Sequence, residues 1–148
     1  MFKRILIANR GEIAVRIIRT CQELGIEAVA IYSNVDSTSL HVQLADHAVC
    51  IGSAKATDSY LNMKNILSAA TALGCDAIHP GFGFLSENST FARLVEECGM
   101  TFIGPSGDII DMMGNKSMAR QKMIEANVPV VPGSDGSVNT LEDARKVA

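Results

Sequence analysis

The sequence predicts an α/β fold: a doubly wound, mostly parallel five-stranded sheet flanked by helices. Three observations carry that expectation. Short continuous apolar runs read as strands, and the first two (Ile5-Leu6-Ile7-Ala8 and Ala28-Val29-Ala30-Ile31-Tyr32) have the character of strands buried in a parallel sheet; Ala48-Val49-Cys50-Ile51 is a third. Amphipathic stretches of helical period lie between them, most of them ending at a glycine. The alternation of the two is the mark of βαβ units, whose crossovers are right-handed.

Residues 3–9 form the first strand, and Asn9-Arg10-Gly11 is a tight turn. Ile13, Ile17, Cys21 and Leu24, with Ala14 and Ile18 beside them, mark the inner face of a helix that stops at Gly25. Arg16, Arg19 and Glu23 take its other face, and Glu12 sits in the first turn, where the helix dipole favours a negative charge. Residues 27–33 are a second buried strand, 34–39 a polar loop, 40–44 a short helix, and 48–51 a third strand closed by Gly52. Tyr60 and Leu61 open a helix continued by Ile66, Leu67, Ala70 and Leu73, with Gly74 as its stop. The fourth strand is 75–79. Phe91, Leu94, Val95 and Cys98 then recur at helical spacing, with Gly99 as a left-handed cap. Residues 101–103 are a fifth short strand, stopped by Gly104-Pro105.

Ser106 caps a short helix through Met112, and Asn115 caps another whose apolar side is Met118, Ala119, Met123 and Ala126. Residues 127–137 read as a turn-rich linker, and Thr140 starts a final helix with Leu141, Ala144 and Val147 inward. That helix stops at Ala148 in mid-pattern, so the chain is expected to be a piece of something longer. The expected organisation is an α/β domain over 1–114, then a helix, a linker and the start of a further segment over 115–148.

An apolar fraction of 47% and a charged fraction of 20% fit a water-soluble globular protein. A net charge of −3 gives no footprint for nucleic acid or an acidic membrane surface. The apolar runs are too short to span a bilayer, and the one after Lys3-Arg4 is too short for a signal peptide, so the cytoplasm is the expected compartment. Cys21, Cys50, Cys75 and Cys98 are scattered without a Cys-x-x-Cys pair, which predicts small buried hydrophobes in a reducing environment.

Ligands of doubly wound sheets gather beyond the carboxyl ends of the strands. There lie Asn9-Arg10-Gly11, Asp36 and the stretch from His79 to Asn88. In that stretch Pro80 pushes His79 towards extended geometry, while Gly81 and Gly83 permit backbone closed to other residues. Phe82, Phe84 and Leu85 then need something to pack against: a neighbouring domain, a ligand, or the turn itself with His79 as a structural histidine. Glu87 and Asn88 stand where capping of the following helix would account for them. Asp36 lies at the distance of a ribose-binding acid, but the glycine pattern of a dinucleotide site is missing, and Glu12 would aim a negative charge at a pyrophosphate. Lys116 is a cation near a helix start, where the dipole disfavours it unless it reaches an anion such as a phosphate. His41 and His47 have no ligand-spaced partners, and no metal set is apparent.

Taken together, Ile7-Ala8-Asn9-Arg10-Gly11-Glu12-Ile13-Ala14, the run His79 to Asn88, and Phe102-Ile103-Gly104-Pro105 followed by Met113-Gly114-Asn115-Lys116 resemble the N-terminal domain of biotin carboxylase, the ATP-dependent component of acetyl-CoA, propionyl-CoA and pyruvate carboxylases. The resemblance runs along essentially the whole chain. It implies a Rossmann-like domain that precedes an ATP-grasp region. The enzyme it implies uses MgATP (or the manganese form) to turn bicarbonate into carboxyphosphate, and biotin on a carrier protein captures the CO2. It also implies a carrier protein and a carboxyltransferase as partners, a homodimeric full-length enzyme, and catalytic residues that lie outside this chain. Lys116 matches a lysine that holds ATP phosphates, and His79, Phe82 and Glu87 fall on the biotin side of the cleft. Two departures stand out. Phe82 replaces a common Tyr, losing a hydroxyl but keeping an apolar face, and Asn115 replaces a common Asp, keeping a helix cap. The isolated chain is expected to be inactive. The alternative is a non-catalytic module that docks a partner through the Phe82-Phe84-Leu85 loop and the Arg16/Arg19/Glu23 face.

Overall fold

The computed structural model describes residues 1–132, 138, 140–142 and 145. The chain divides into two compact units, Met1–Gly107 and Asp108–Ala148.

In the first unit the elements run β1 (Arg4–Ile7), α1 (Gly11–Glu23), β2 (Glu27–Ser33), α2 (Leu40–Leu44), β3 (His47–Gly52), α3 (Met63–Ala72), β4 (Ala77–His79), α4 (Ser89–Glu97) and β5 (Thr101–Phe102). The strands form one sheet in the order β3-β2-β1-β4-β5, and every pair is parallel. Ile5, Ile7, Ala28, Ala30 and Ala77 point to one face and pack with Ala14, Ile18 and Cys21 of α1. Leu6, Val29, Ile31 and Ile78 alternate to the other face and are also fully buried. Burial on both faces is why these strands read as unbroken apolar runs.

The third strand forms where expected, and the order of the strands settles its place. β3 lies at the sheet edge with one neighbour, and only Ile51 of it is buried. Cys50 there and Cys98 after α4 are exposed, whereas Cys21 and Cys75 are buried as expected. The inner face of α1 is also rotated from the expected one. Ala14, Val15, Ile18 and Cys21 are buried, while Ile13 and Ile17 are partly covered and Leu24 is 57% exposed. The apolar stripe is wider than the sheet it covers, so part of it faces outward.

Glycines end the helices as expected: Gly25, Gly74 and Gly99 have φ of 68°, 61° and 77°, the left-handed conformation that lets the chain turn back into a strand. Asn88 caps α4 by accepting from the Phe91 N–H at 2.8 Å. Tyr60 does not open a helix. Residues Ala56–Asp58 make a 3-10 turn, α3 begins after an Asn62 cap, and Tyr60 is buried between them.

Helix α5 (Gly107–Gly114), whose residues from Asp108 on belong to the second unit, is followed by α6 (Lys116–Glu125), with Asn115 between them. The Asn115 side-chain oxygen accepts from the N–H groups of Ser117 and Met118 at 3.1 and 3.2 Å. The expected linker is described only as far as Pro132, and Ala144 and Val147 of the expected final helix lie outside the described residues. No helix among the described residues is long and apolar enough to cross a membrane.

Candidate functional site at the carboxyl edge of the sheet

Because β1 lies between β2 and β4, the turns that leave these three strands are neighbours. The turn after β1 begins with Asn9, an amide buried to 1% exposure. Its Nδ2 donates to the carbonyls of Pro80 and Phe82 at 2.7 and 2.9 Å, and its Oδ1 accepts from the Arg10 N–H at 2.9 Å. A buried amide is costly unless satisfied, and this one is satisfied by fastening the loop after β4 to the turn after β1. The fit demands Gly81. Its φ is 65°, and an added Cβ would stand 2.7 Å from Ile13 Cγ2 and 2.8 Å from Asn9 Nδ2.

His79 ends β4 half-buried, and the Gly81 N–H donates to its Nδ1 at 3.0 Å, which leaves the proton of the neutral ring on Nε2. Burial lowers its pKa. Phe82 is 68% exposed. Together with Ile13, Ile17, Leu24 and Phe2, His79 and Phe82 line an open, mainly apolar hollow of about 530 Å³. The outward part of the α1 stripe is one wall of it. Glu87, farther along the same loop, is exposed and does not line the hollow. Lys116 belongs to the second unit, as the first residue of α6, and is exposed there.

Phe84 has φ of 44°, left-handed backbone that costs a residue with a Cβ about 1–2 kcal/mol. Its ring offsets that strain by stacking on Tyr60, with centroids 5.2 Å apart and planes 20° apart. The Arg10 guanidinium lies 5.3 Å from the Tyr60 centroid and 5.8 Å from that of Phe84. Asp36 ties the group together. Its Oδ2 accepts from the Tyr60 hydroxyl at 2.7 Å and the Ser33 hydroxyl at 2.6 Å, and the Arg10 Nη1 is 3.5 Å away. The Tyr60 oxygen in turn accepts from the Ser33 N–H at 3.0 Å. Burial works to raise the Asp36 pKa, but the bonds from Ser33 and Tyr60 and the Arg10 charge outweigh it and the pKa is lowered. Burial and the same carboxylate push the Tyr60 phenol up to about 12. Asp36 is thus committed to protein partners, which removes the physical basis for a ribose contact.

Tyr60 was expected to open a helix and is instead buried in a turn, while Phe84, expected to need something to pack against, finds it in Tyr60. Tyr60 had no local signal, since its partner carboxylate is far away in the chain. The buried Asn9 had a weak one, an amide at the end of an apolar strand.

The chain matches the family model "Biotin carboxylase, N-terminal domain" over residues 1–110. It is 59% identical over 148 residues to biotin carboxylase 1 of Bacillus subtilis strain 168, covering 100% of this chain and 33% of that protein. The biotin carboxylase domain of a thermophilic 2-oxoglutarate carboxylase, solved with bicarbonate, superposes with a TM-score of 0.92 at 53% identity, covering 100% of this chain and 33% of that one. The corresponding Hydrogenobacter thermophilus domain dimer, solved with MgADP, ADP and bicarbonate, gives 0.89 at 53% identity, covering 99% of this chain and 32% of that one. The chain therefore spans about a third of the length of these relatives. A parallel sheet in the order β3-β2-β1-β4-β5, a glycine-bearing loop fastened beyond β4 and a family match over most of the chain agree: this chain belongs to the biotin carboxylase N-terminal domain family.

Proposed function

We propose that the chain is the N-terminal part of a biotin carboxylase, an ATP-dependent ligase that carboxylates biotin on a carrier protein with MgATP (or MnATP) and bicarbonate. The observation that carries this is the 59% identity and the 0.92 TM-score along the whole chain, with relatives solved with MgADP and bicarbonate. In the complete protein ATP supplies the activation of bicarbonate, and biotin accepts the resulting carboxyl group.

This chain's own contribution is binding and orientation. Phe82 presents an exposed apolar ring, Glu87 an exposed carboxylate and His79 a neutral imidazole on one loop, a combination that suits the fused ring and polar ureido group of biotin. Lys116 would hold ATP phosphates. Its support is a cation at the start of a helix whose first N–H groups already bond the Asn115 cap, so an anion there would meet a side-chain charge rather than only the backbone. The remaining catalytic and metal-binding groups would come from outside this chain. A carrier protein, a carboxyltransferase and a second copy of the full-length enzyme complete the assembly. Cytoplasmic residence is supported by four free cysteines, two of them exposed, as expected in a reducing compartment.

The test is ATP turnover by the full-length parent with and without free biotin and bicarbonate. Turnover that depends on both supports the reading, and no dependence on biotin rejects it. The 148-residue chain alone should be inert, and biotin-dependent ATP hydrolysis by it would reject the division of labour. Lys116→Gln in the parent should weaken ATP binding in a calorimetric titration by about tenfold, the scale of one charge-assisted contact, while leaving the thermal midpoint unchanged. Unchanged ATP affinity would remove Lys116 from the site.

A further inference from the structure

We propose that Arg10, Asp36 and Tyr60 are positioning residues for biotin: a cation-and-ring stack, anchored by one carboxylate, that holds the strained loop carrying Phe82 and Glu87. The inference rests on the functional reading above and adds three residues to it. None of the three belongs to that loop. They come from the turn after β1, the 3-10 turn Asn34–Asp36 after β2, and the segment before α3.

The loop is fastened at two points. Near Gly81 and Phe82 it is held by Asn9 through backbone carbonyls. Beyond Gly83 it passes through left-handed Phe84, a position where glycine would be unstrained. A phenylalanine persists there because its ring is captured by Tyr60 and Arg10. From Phe84 the chain runs on through two short turns, with Ser86 N–H to Gly83 O at 3.0 Å and Asn88 N–H to Leu85 O at 3.1 Å. These turns set where Glu87 stands. Phe82 and Glu87 therefore flank the captured residue, and releasing Phe84 would move both. The geometry of the stack is set in turn by Asp36, which holds the phenol and the guanidinium at once. Arg10 has a half-exposed side chain, so the stack reaches the surface instead of being sealed in the core.

The experiment uses the full-length parent with free biotin as the probe. Arg10→Met keeps the length of the side chain and removes the cation, and Tyr60→Phe keeps the ring and removes the hydroxyl. Each should raise KM for biotin by about three- to tenfold, the scale of one cation–ring or charge-assisted contact. KM for ATP should stay within about twofold, as expected of an independent site. Arg10→Lys, which keeps the cation, should recover part of the loss. In hydrogen-exchange mass spectrometry the amides of Ser86 and Asn88 should exchange faster in both variants, with α3 unchanged. Equal changes in both KM values, or unchanged exchange across the loop, would overturn the inference and leave the stack as packing. A wild-type parent without biotin-dependent turnover would instead remove the functional reading itself, and the biotin role of the stack with it. The exchange comparison tells the two failures apart.

Discussion

Two carboxylates sit at opposite ends of the sheet and are held in different ways. At the amino edge, exposed Asp76 accepts from the backbone N–H groups of Lys3 and Arg4 at 2.6 and 2.9 Å, joining the start of β4 to the start of β1. Arg4 beside it donates to Glu27 and to the Leu73 carbonyl. At the carboxyl edge, Asp36 accepts from the side chains of Ser33 and Tyr60 and pairs with Arg10. Both acids have lowered pKa values. For Asp76 the main cause is bonding from the Arg4 and Lys3 N–H groups, and for Asp36 it is the side-chain bonds and the Arg10 charge acting against burial. Backbone donors are present whatever residues surround them, so the amino edge requires little of its neighbours. The carboxyl edge works only with particular side chains in particular rotamers. The first arrangement keeps strands in register, and the second shapes a surface.

The sharpest way to break the contrast is Tyr60→Ala, which removes a ring that is 1% exposed and should cost about 3–5 kcal/mol in urea unfolding. A loss below about 1 kcal/mol, the scale of an ordinary substitution, would mean the ring is not part of the carboxyl-edge core. Gly81→Ala comes next, because it adds a collision with Ile13 and Asn9 to an unfavourable φ, for about 2–3 kcal/mol. Gly83→Ala shares the positive φ but meets nothing within 4 Å, so it should cost about 1 kcal/mol. Equal losses would show that the Asn9 fastening yields freely.

Titration sharpens the comparison further. His41 is fully buried, with Nε2 bonded to the Ile31 carbonyl at 3.2 Å, and burial lowers its pKa, as it does for His79. The unfolded chain then binds more protons, so stability is full above the unfolded value of about 6.5 and declines as pH falls towards the folded values. Denaturation midpoints should therefore drop between neutral pH and the weakly acidic range, and His41→Gln should flatten that drop. The two acids act lower. Their stabilisation is present above the unfolded carboxylate value of about 3.9 and is lost as pH falls through the lowered folded values. Asp36→Asn should flatten this acid limb and also disturb the loop after β4. The smallest effect is expected from Asp76→Asn, which keeps one acceptor oxygen for the two backbone donors. It should flatten the limb and leave loop exchange untouched, and faster exchange at Ser86 in that variant would merge the two regions into one.

Much of the fold was legible because it follows from local chemistry. The runs around Leu6, Val29 and Ile78 are apolar on both faces and became strands, and Gly25, Gly74 and Gly99 took the left-handed conformation that ends a helix. The Asn88 and Asn115 caps bond only a few residues ahead, so sequence spacing was enough to find them. The face of α1 was less legible, because helical period marks an apolar stripe without saying how much of it a sheet will cover. His79 and Phe82 were singled out by the one proline and two glycines around them, and the structure puts both on one hollow.

By itself the sequence determined which segments are strands, which are helices, where most of them stop, and the family to which the chain belongs. Tertiary structure alone decided that β3 is an edge strand, that Tyr60 is buried in a turn, and that Arg10, Asp36, Tyr60 and Phe84 meet. The reason lies in the range of the forces. Periodicity and capping act within a few residues, whereas strand order is set by long-range burial, and only that order makes the turns after β2, β1 and β4 neighbours.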